Sequence, residues 1–406
     1  MKIKEVKIKP SFTSRGDETI ESTVVLEGGI QATATAPAGA STGETEVIHM
    51  PKGGYQEILK NFKKEKIIGV EAGDLKAVYE ALVSINGSEK FEKIGGATAF
   101  AVSVAAVAAE SIAEGQPMYK LIGLAPQIPF PLGNVLGGGK HAGPGSPDIQ
   151  EFLSAPVGAK SAFEAVSLNL KVHKEVRKEI EKRDPTFAGG KGDEGAWAPK
   201  VTDEEALEIV RTAIDRVSKE YGVRIIMGID MASSTLYNNG YYVYSRKGKK
   251  LDKEGQLAYV EEIIKKYELK YVEDPFNDDD FDSFAELTKS VNSLIVGDDL
   301  FTTNYERLKK GVSLKAGNGV ILKVNQVGTL YQAKLFADLA HKNNYVVITS
   351  HRSGDVCEGY LADIAVGMGS GLMKSGVVGG ERMSKLIRLV RINEENENIE
   401  LWRPNV

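Results

Sequence analysis

The 406-residue chain is predicted to be an α/β protein: a TIM-type (β/α)8 barrel of parallel strands behind an N-terminal α+β domain. Three observations carry this. The chain opens with strand patterns and continues with helical ones. A Pro/Gly-rich stretch then interrupts it near residue 125. Beyond that, apolar strands recur, each followed by a helical segment. The corresponding division is residues 1–125 and 126–406.

In order, "MKIKEVKIKP" and "ESTVVLEGGIQATATAP" read as strands, with Gly28–Gly29 as a hairpin turn. Helical patterns follow in "YQEILKNFKKEKI", "DLKAVYEALVSI" and "GGATAFAVSVAAVAAESIAEG". The last is apolar nearly all round and reads as a buried packing helix. "GLAPQIPFPLGNVLGGG" reads as the boundary. After it come the strands "RIIMGID", "LKYVED", "LIVGDD", "GVILKVNQ", "YVVITSHR" and a shorter "LMKSG". A charged residue sits at or near the end of each: Asp230, Glu273, Asp298, Lys323, His351 and Lys374, spaced 43, 25, 25, 28 and 23 residues apart. An interval in the twenties suits one βα unit, and the longer first interval leaves room for extra structure.

Hydrophobic content of 42% and charged content of 26% are those of an ordinary soluble protein. A net charge of −5 argues against a nucleic-acid partner. One cysteine forms no internal disulfide, which suits a reducing cytoplasm. No cationic leader with an apolar core opens the sequence, and no 18 apolar residues run uninterrupted, so no membrane association is expected.

Acids after strands often cap the next helix, but capping does not account for lysines at two of six equivalent positions. A shared barrel mouth does. Three carboxylates converging there, Asp230, Glu273 and Asp298, repel one another unless a cation joins them. An all-oxygen set suits Mg²⁺ better than Zn²⁺, and no EF-hand loop favours Ca²⁺. Lys323 and Lys374, beside a metal and a second cation, are candidates for proton removal and charge stabilisation. Two further loops carry acids and an amide: "DIQEFLSAP" with Gln150 and Glu151, and "KGDEGAWAP" with Asp193 and Glu194. "GNVLGGGKHAGPG" fails as a P-loop, because Asn134 replaces the first glycine and His141 follows Lys140. It reads as a mobile loop bearing His141. "APAGASTGE", with Ser41, reads as a lid. "TSHRSGDVCEG", Thr349 to Gly359, places Ser350, His351, Arg352 and Ser353 after a strand. On residue types alone it is open to reading as a nucleophilic site, a metal cluster or an anion clamp.

The motifs "PAGASTG", "QEF", "GDEG", "GIDMASS", "VEDPF", "VGDDL", "LKVNQVGTL", "SHRSG" and "KSG" occur in one order along nearly the whole chain. In that order the sequence resembles the enolases, the phosphopyruvate hydratases of glycolysis and gluconeogenesis. The resemblance implies a modified barrel beginning ββαα and continuing (βα)6, which would explain the long interval before Glu273. It implies Mg²⁺ on Asp230, Glu273 and Asp298, and a second Mg²⁺ held with substrate and the Ser41 loop. It implies Lys323 as the base at C2 of 2-phosphoglycerate, and Glu194, assisted by Glu151, as the acid at C3. Lys374 would stabilise the intermediate. Arg352 and Ser353 would clamp the phosphate, with Ser350, His351, His141 and Gln150 around the substrate. The resemblance further implies a homodimer or a ring of dimers.

The sequence departs from the family in two segments. "DVCEG" follows "SHRSG" where several acids and a threonine are usual, and Cys357 reads there as a small packing residue. "VIHMPKGG" replaces an acidic and arginine-bearing stretch. These departures admit two alternatives: a divergent superfamily lyase or isomerase acting on another acid, and a non-catalytic enolase-like binding protein. Arg352, Ser353 and Ser41 argue against the first. The matched pair Lys323 and Glu194 argues against the second.

Overall fold

The computed structural model describes residues 1–39, 45–123, 126–396 and 398–403. The N-terminal part is an antiparallel sheet of β1 (Ile3–Phe12), β2 (Glu18–Leu26) and β3 (Gln31–Thr35). Gly28 and Gly29 turn the second hairpin at φ of +93° and +87°, a backbone region that side chains resist. Helices α1 (Gly54–Asn61), α2 (Leu75–Asn86), α3 (Gly96–Glu114) and α4 (Met118–Ile122) follow. α3 is long and apolar enough to cross a membrane, yet 83% of that stretch is buried inside the fold. Its alanines let it lie close against β2 and β3.

The barrel begins with β4 (Phe130–Gly137), the short α5 (Gly139–Ala142) and β5 (Glu151–Ala155). Next come α6 (Ala162–Arg183), α7 (Asp203–Tyr221) and β6 (Ile226–Asp230). A small sheet of β7 (Tyr237–Asn238), β8 (Tyr241–Tyr244) and β9 (Lys249–Leu251) precedes α8 (Lys253–Tyr267). The remaining strands are β10 (Tyr271–Glu273), β11 (Leu294–Gly297), β12 (Gly319–Leu322), β13 (Val346–Ser350) and β14 (Leu372–Gly376). Between and after them lie α9 (Phe281–Ser290), α10 (Tyr305–Leu314), α11 (Val324–Val327), α12 (Leu330–Lys342), α13 (Tyr360–Gly367) and α14 (Gly380–Glu395). Eight strands close in the order β10-β11-β12-β13-β14-β4-β5-β6. The architecture is therefore an N-terminal α+β domain followed by a ββαα(βα)6 barrel.

Three expectations need correction. The Pro/Gly-rich boundary contains β4, every residue of which is buried, with Pro131 as its second residue and not a break. The barrel is not wholly parallel, since β5 runs antiparallel to both neighbours. The ββαα opening also lies before Asp230, so it does not lengthen the interval to Glu273. That interval holds β7 to β9.

The two parts share one apolar core running from Ile3 through α3 to Val320 and Ile348. Backbone pairing docks them further: Ala38 N–H donates to Gly354 O at 2.7 Å, and Gly354 N–H returns to Ala38 O at 2.9 Å. The unusual segment after Gly354 contributes too. Glu358 accepts from Thr35 N–H at 3.0 Å, and Tyr360 O–H donates to Thr33 O at 2.7 Å. Cys357 is exposed, which corrects its reading as a packing residue.

Candidate active site

Apolar strands buried on both faces carry most of their charged residues near the ends that open on the barrel mouth. Asp230 ends β6, Glu273 ends β10, Asp298 follows β11, Lys323 follows β12, His351 follows β13, and Lys374 lies within β14. Glu151 joins them although it begins its strand. Because β5 is antiparallel, its start faces the same mouth, and Glu151 pairs in register with Asp230, which pairs with Glu273. In the closed ring β12 and β5 stand four places apart of eight, so Lys323 faces Glu151 across the mouth.

Most of the expected residues meet in one polar cavity: His141, Gln150, Glu151, Glu194, Asp230, Asp298, Lys323, Ser350, His351, Arg352, Ser353 and Lys374 all line it. Glu273 lies just beneath, fully buried. Ser41 lies outside the described residues. Ser350 turns its hydroxyl back to its neighbour's carbonyl, His351 O, at 3.0 Å.

One wall is cationic chemistry set on carboxylates. Lys374 Nζ lies 3.0 Å from Glu151 Oε2, 2.9 Å from Asp230 Oδ2 and 2.7 Å from Glu273 Oε2. Burial opposes its charge, but these acids outweigh it and hold the ammonium well above its usual range. Burial raises Glu273 well above the carboxylate range, with Asp230 adding repulsion. Tyr271 O–H donates to Glu273 Oε2 at 2.5 Å, while Oε1 has no partner among the described residues. Lys323 pairs with Asp298, which keeps Lys323 protonated above its usual value despite burial.

Carboxylates outnumber cations here. Asp274, Asp298 and Asp299 bring oxygens within 4.8 Å of one another, as do His141, Glu151 and Glu194 with their ligating atoms. Buried carboxylates gathered this closely, with the orphaned Oε1 of Glu273 beneath them, could take a hard divalent cation. Asp298 gathers with Asp274 and Asp299, neither of which was in the expected triad. Asp274 accepts from the N–H groups of Asp298 and Asp299 at 3.0 and 2.8 Å, shaping their turn at its own φ of +42°. Sequence reasoning passed over Asp274, Asp299 and Glu46. The doublets in "VEDPF" and "VGDDL" were the available signal.

Glu151 continues into a proton network. His141 Nδ1 lies 3.4 Å from Glu151 and 3.7 Å from Glu194. Burial opposes its protonation, yet Glu194 and Glu151 raise it to about 9. Burial raises Glu151, and the charge of Glu194 adds to that. Burial would raise Glu194 too, but His351 and His141 hold it well below the carboxylate range. His351 itself is pulled down to about 4, chiefly by burial. Neutral near pH 7, it contributes no full charge there, so the lasting cause is His141. Asn134 Nδ2 donates to Glu194 Oε2 at 3.1 Å. At rest, then, the network is protonated on His141 and ionised on Glu194.

Arg352 lines the same cavity, 3.4 Å from Glu46 Oε2 and 3.2 Å from Asn325 Oδ1. Gly39 lies against it so closely that an added Cβ would meet Nη2 at 1.7 Å. Ser353 Oγ accepts from Arg15 Nη1 at 3.3 Å. Among the described residues no orienting base accompanies Ser353, which does not favour a nucleophile there.

Two family models match the chain: the enolase N-terminal domain over residues 3–122, and the enolase C-terminal TIM barrel domain over residues 125–402. The chain is 46% identical over 396 residues to the enolase of Archaeoglobus fulgidus, covering 97% of this chain and 98% of that one. It is 45% identical over 402 residues to the enolase of Methanosphaera stadtmanae, covering 97% of each. With both family models matched and near-complete coverage at such identity, the chain belongs to the enolase family, and its chemistry is that of an enolase-superfamily lyase.

Proposed function

We propose that the chain interconverts 2-phosphoglycerate and phosphoenolpyruvate by reversible loss of water, as a phosphopyruvate hydratase of glycolysis and gluconeogenesis. One observation carries the proposal: Lys323 at the end of β12 stands across a single mouth from Glu151 of β5, which Glu194 and His141 join, and Arg352 and Ser353 line the same cavity.

In the forward direction Lys323 Nζ, as the free amine, takes the proton from C2. The electron pair moves into the carboxylate as an enediolate. It then returns to form the C2–C3 double bond while the C3–O bond breaks, and Glu194 supplies the proton that lets the oxygen leave as water. Removing a proton beside a carboxylate places a second charge on that group, so cations aimed at it carry most of the acceleration. Lys374 holds its charge firmly enough to do so. When bound to Asp230, Glu273 and Asp298, Mg²⁺ supplies electrostatic stabilisation of the substrate carboxylate and draws on the charge that Asp298 otherwise gives Lys323. A second Mg²⁺ with substrate and the Ser41 loop belongs to the same reading. Arg352 and Ser353 hold the phosphate, and Gln150, Ser350 and His351 border the substrate. Glu194 is ionised at rest, which suits it to activate water in the hydration direction. A bound phosphate and carboxylate raise it toward protonation for the reverse. We also read the protein as cytoplasmic, from its lone cysteine, and as a homodimer or ring of dimers, from the family resemblance.

The test is absorbance of phosphoenolpyruvate formed from 2-phosphoglycerate with Mg²⁺, repeated after chelation. Turnover that chelator abolishes is expected. No turnover with metal present overturns the proposal.

A further inference from the structure

Arg382, on the first turn of α14, is fully buried and belongs to none of the motifs quoted above. Its guanidinium reaches two loops of the mouth at once. Nη1 donates to His351 Nδ1 at 2.7 Å, Arg352 O at 2.6 Å and Asp355 Oδ2 at 3.1 Å. Nη2 donates to Ser353 O at 2.8 Å and, in the loop of Glu194, to Asp193 O at 3.1 Å. Asp355 balances the charge, with Lys385 at 3.1 Å on its other oxygen.

We infer that Arg382 is a positioning residue that fixes the tautomer of His351 and locks the phosphate-clamp loop to the loop of the acid Glu194. Guanidinium has no acceptor, so Nδ1 of His351 must present its lone pair. The N–H of Gly376, 3.4 Å away, faces the same nitrogen and agrees. The single ring proton therefore sits on Nε2. That atom points at Glu194 Oε2, 3.3 Å away, without the alignment of a formed bond. It is a buried donor reserved for the acid or for a substrate oxygen. Lysine cannot reproduce the arrangement, because one ammonium does not span both loops as a planar fork does. The adjacent backbone is equally tight: a Cβ on Gly376 would meet Glu194 O at 2.0 Å.

This inference rests on the dehydration proposed above, and its test separates the two. Nitrogen-15 spectra of histidine-labelled wild-type protein at neutral pH, with His351 assigned by His351→Asn, should show a bare Nδ1 and a protonated Nε2. In Arg382→Lys, checked for folding by near-UV circular dichroism, the tautomers should mix. Dehydration kcat should fall roughly 100-fold, with C2 proton exchange at saturating substrate within about threefold of wild type. A proton on Nδ1 in the wild type overturns the inference. So does equal loss of exchange and dehydration in the variant, or dehydration unchanged. Should the variant fail to fold, the wild-type spectrum still decides. Should the wild type not turn over 2-phosphoglycerate, the dehydration reading fails while the tautomer is judged on its own.

Discussion

At the scale of single residues, the site works through buried charges whose states are set by their neighbours. His141 is the clearest case. With its value raised to about 9 by Glu194 and Glu151, it stays an imidazolium across the neutral range and holds Glu194 ionised. Replacing it by Gln removes that charge, so Glu194 should protonate at higher pH. The acid limb of the kcat/KM profile for hydration should then shift upward by about one unit or more; an unmoved limb in His141→Gln contradicts the network. Arg352 offers a steric test. Gly39→Ala drives a methyl into its guanidinium, which should raise KM at least tenfold while the thermal midpoint stays within a few degrees. A KM within twofold of wild type would mean that Arg352 does not hold the phosphate where we assign it.

At the scale of elements, the strand ends explain what was legible in the sequence and what was not. Apolar runs ending in Asp230, Glu273, Lys323 and Lys374 announced both barrel and mouth, because strands buried on both faces have little other place for charge. The direction of β5 could not be read from its five residues, and only antiparallel pairing brings Glu151 to the mouth. β4 was hidden by its own proline and glycines, and the 43-residue interval concealed a small sheet. Segments that depart from the family are nonetheless docked by backbone: Val47 N–H donates to Gln326 O at 2.9 Å and Gly96 N–H to Ile48 O at 2.7 Å. Backbone bonds tolerate changed side chains, so the departure near residue 50 keeps these contacts. α6 carries a prediction of its own. His173 is buried against Trp197, ring centroids 4.6 Å apart, and its Nε2–H donates to Gly195 O at 3.0 Å, beside the acid. Burial lowers it to about 4. Its folded value lies below the unfolded one, so stability should fall as pH drops from about 6.5 toward 4, by on the order of 3 kcal/mol when fully expressed. His173→Gln should flatten the loss of thermal midpoint across that window, read through Trp197 fluorescence. An unchanged slope would contradict this origin.

For the whole molecule, the shared core and the pairing of Ala38 with Gly354 make the two parts one cooperative unit, so a single unfolding transition is expected by calorimetry. A divalent cation bound only by the folded state should raise its midpoint. At 100 times its dissociation constant Mg²⁺ adds about 2.7 kcal/mol, and Glu273→Gln should abolish the gain; equal stabilisation of both proteins by Mg²⁺ would remove Glu273 from the cation site.

The central claim is that proton removal and loss of hydroxide are performed by different residues on opposite sides of the mouth. It is tested most directly by following exchange of the C2 proton of 2-phosphoglycerate with solvent alongside phosphoenolpyruvate formation. The account predicts that Lys323→Ala loses both, whereas Glu194→Gln keeps exchange and loses only dehydration. Equal loss of exchange in the two variants would contradict it.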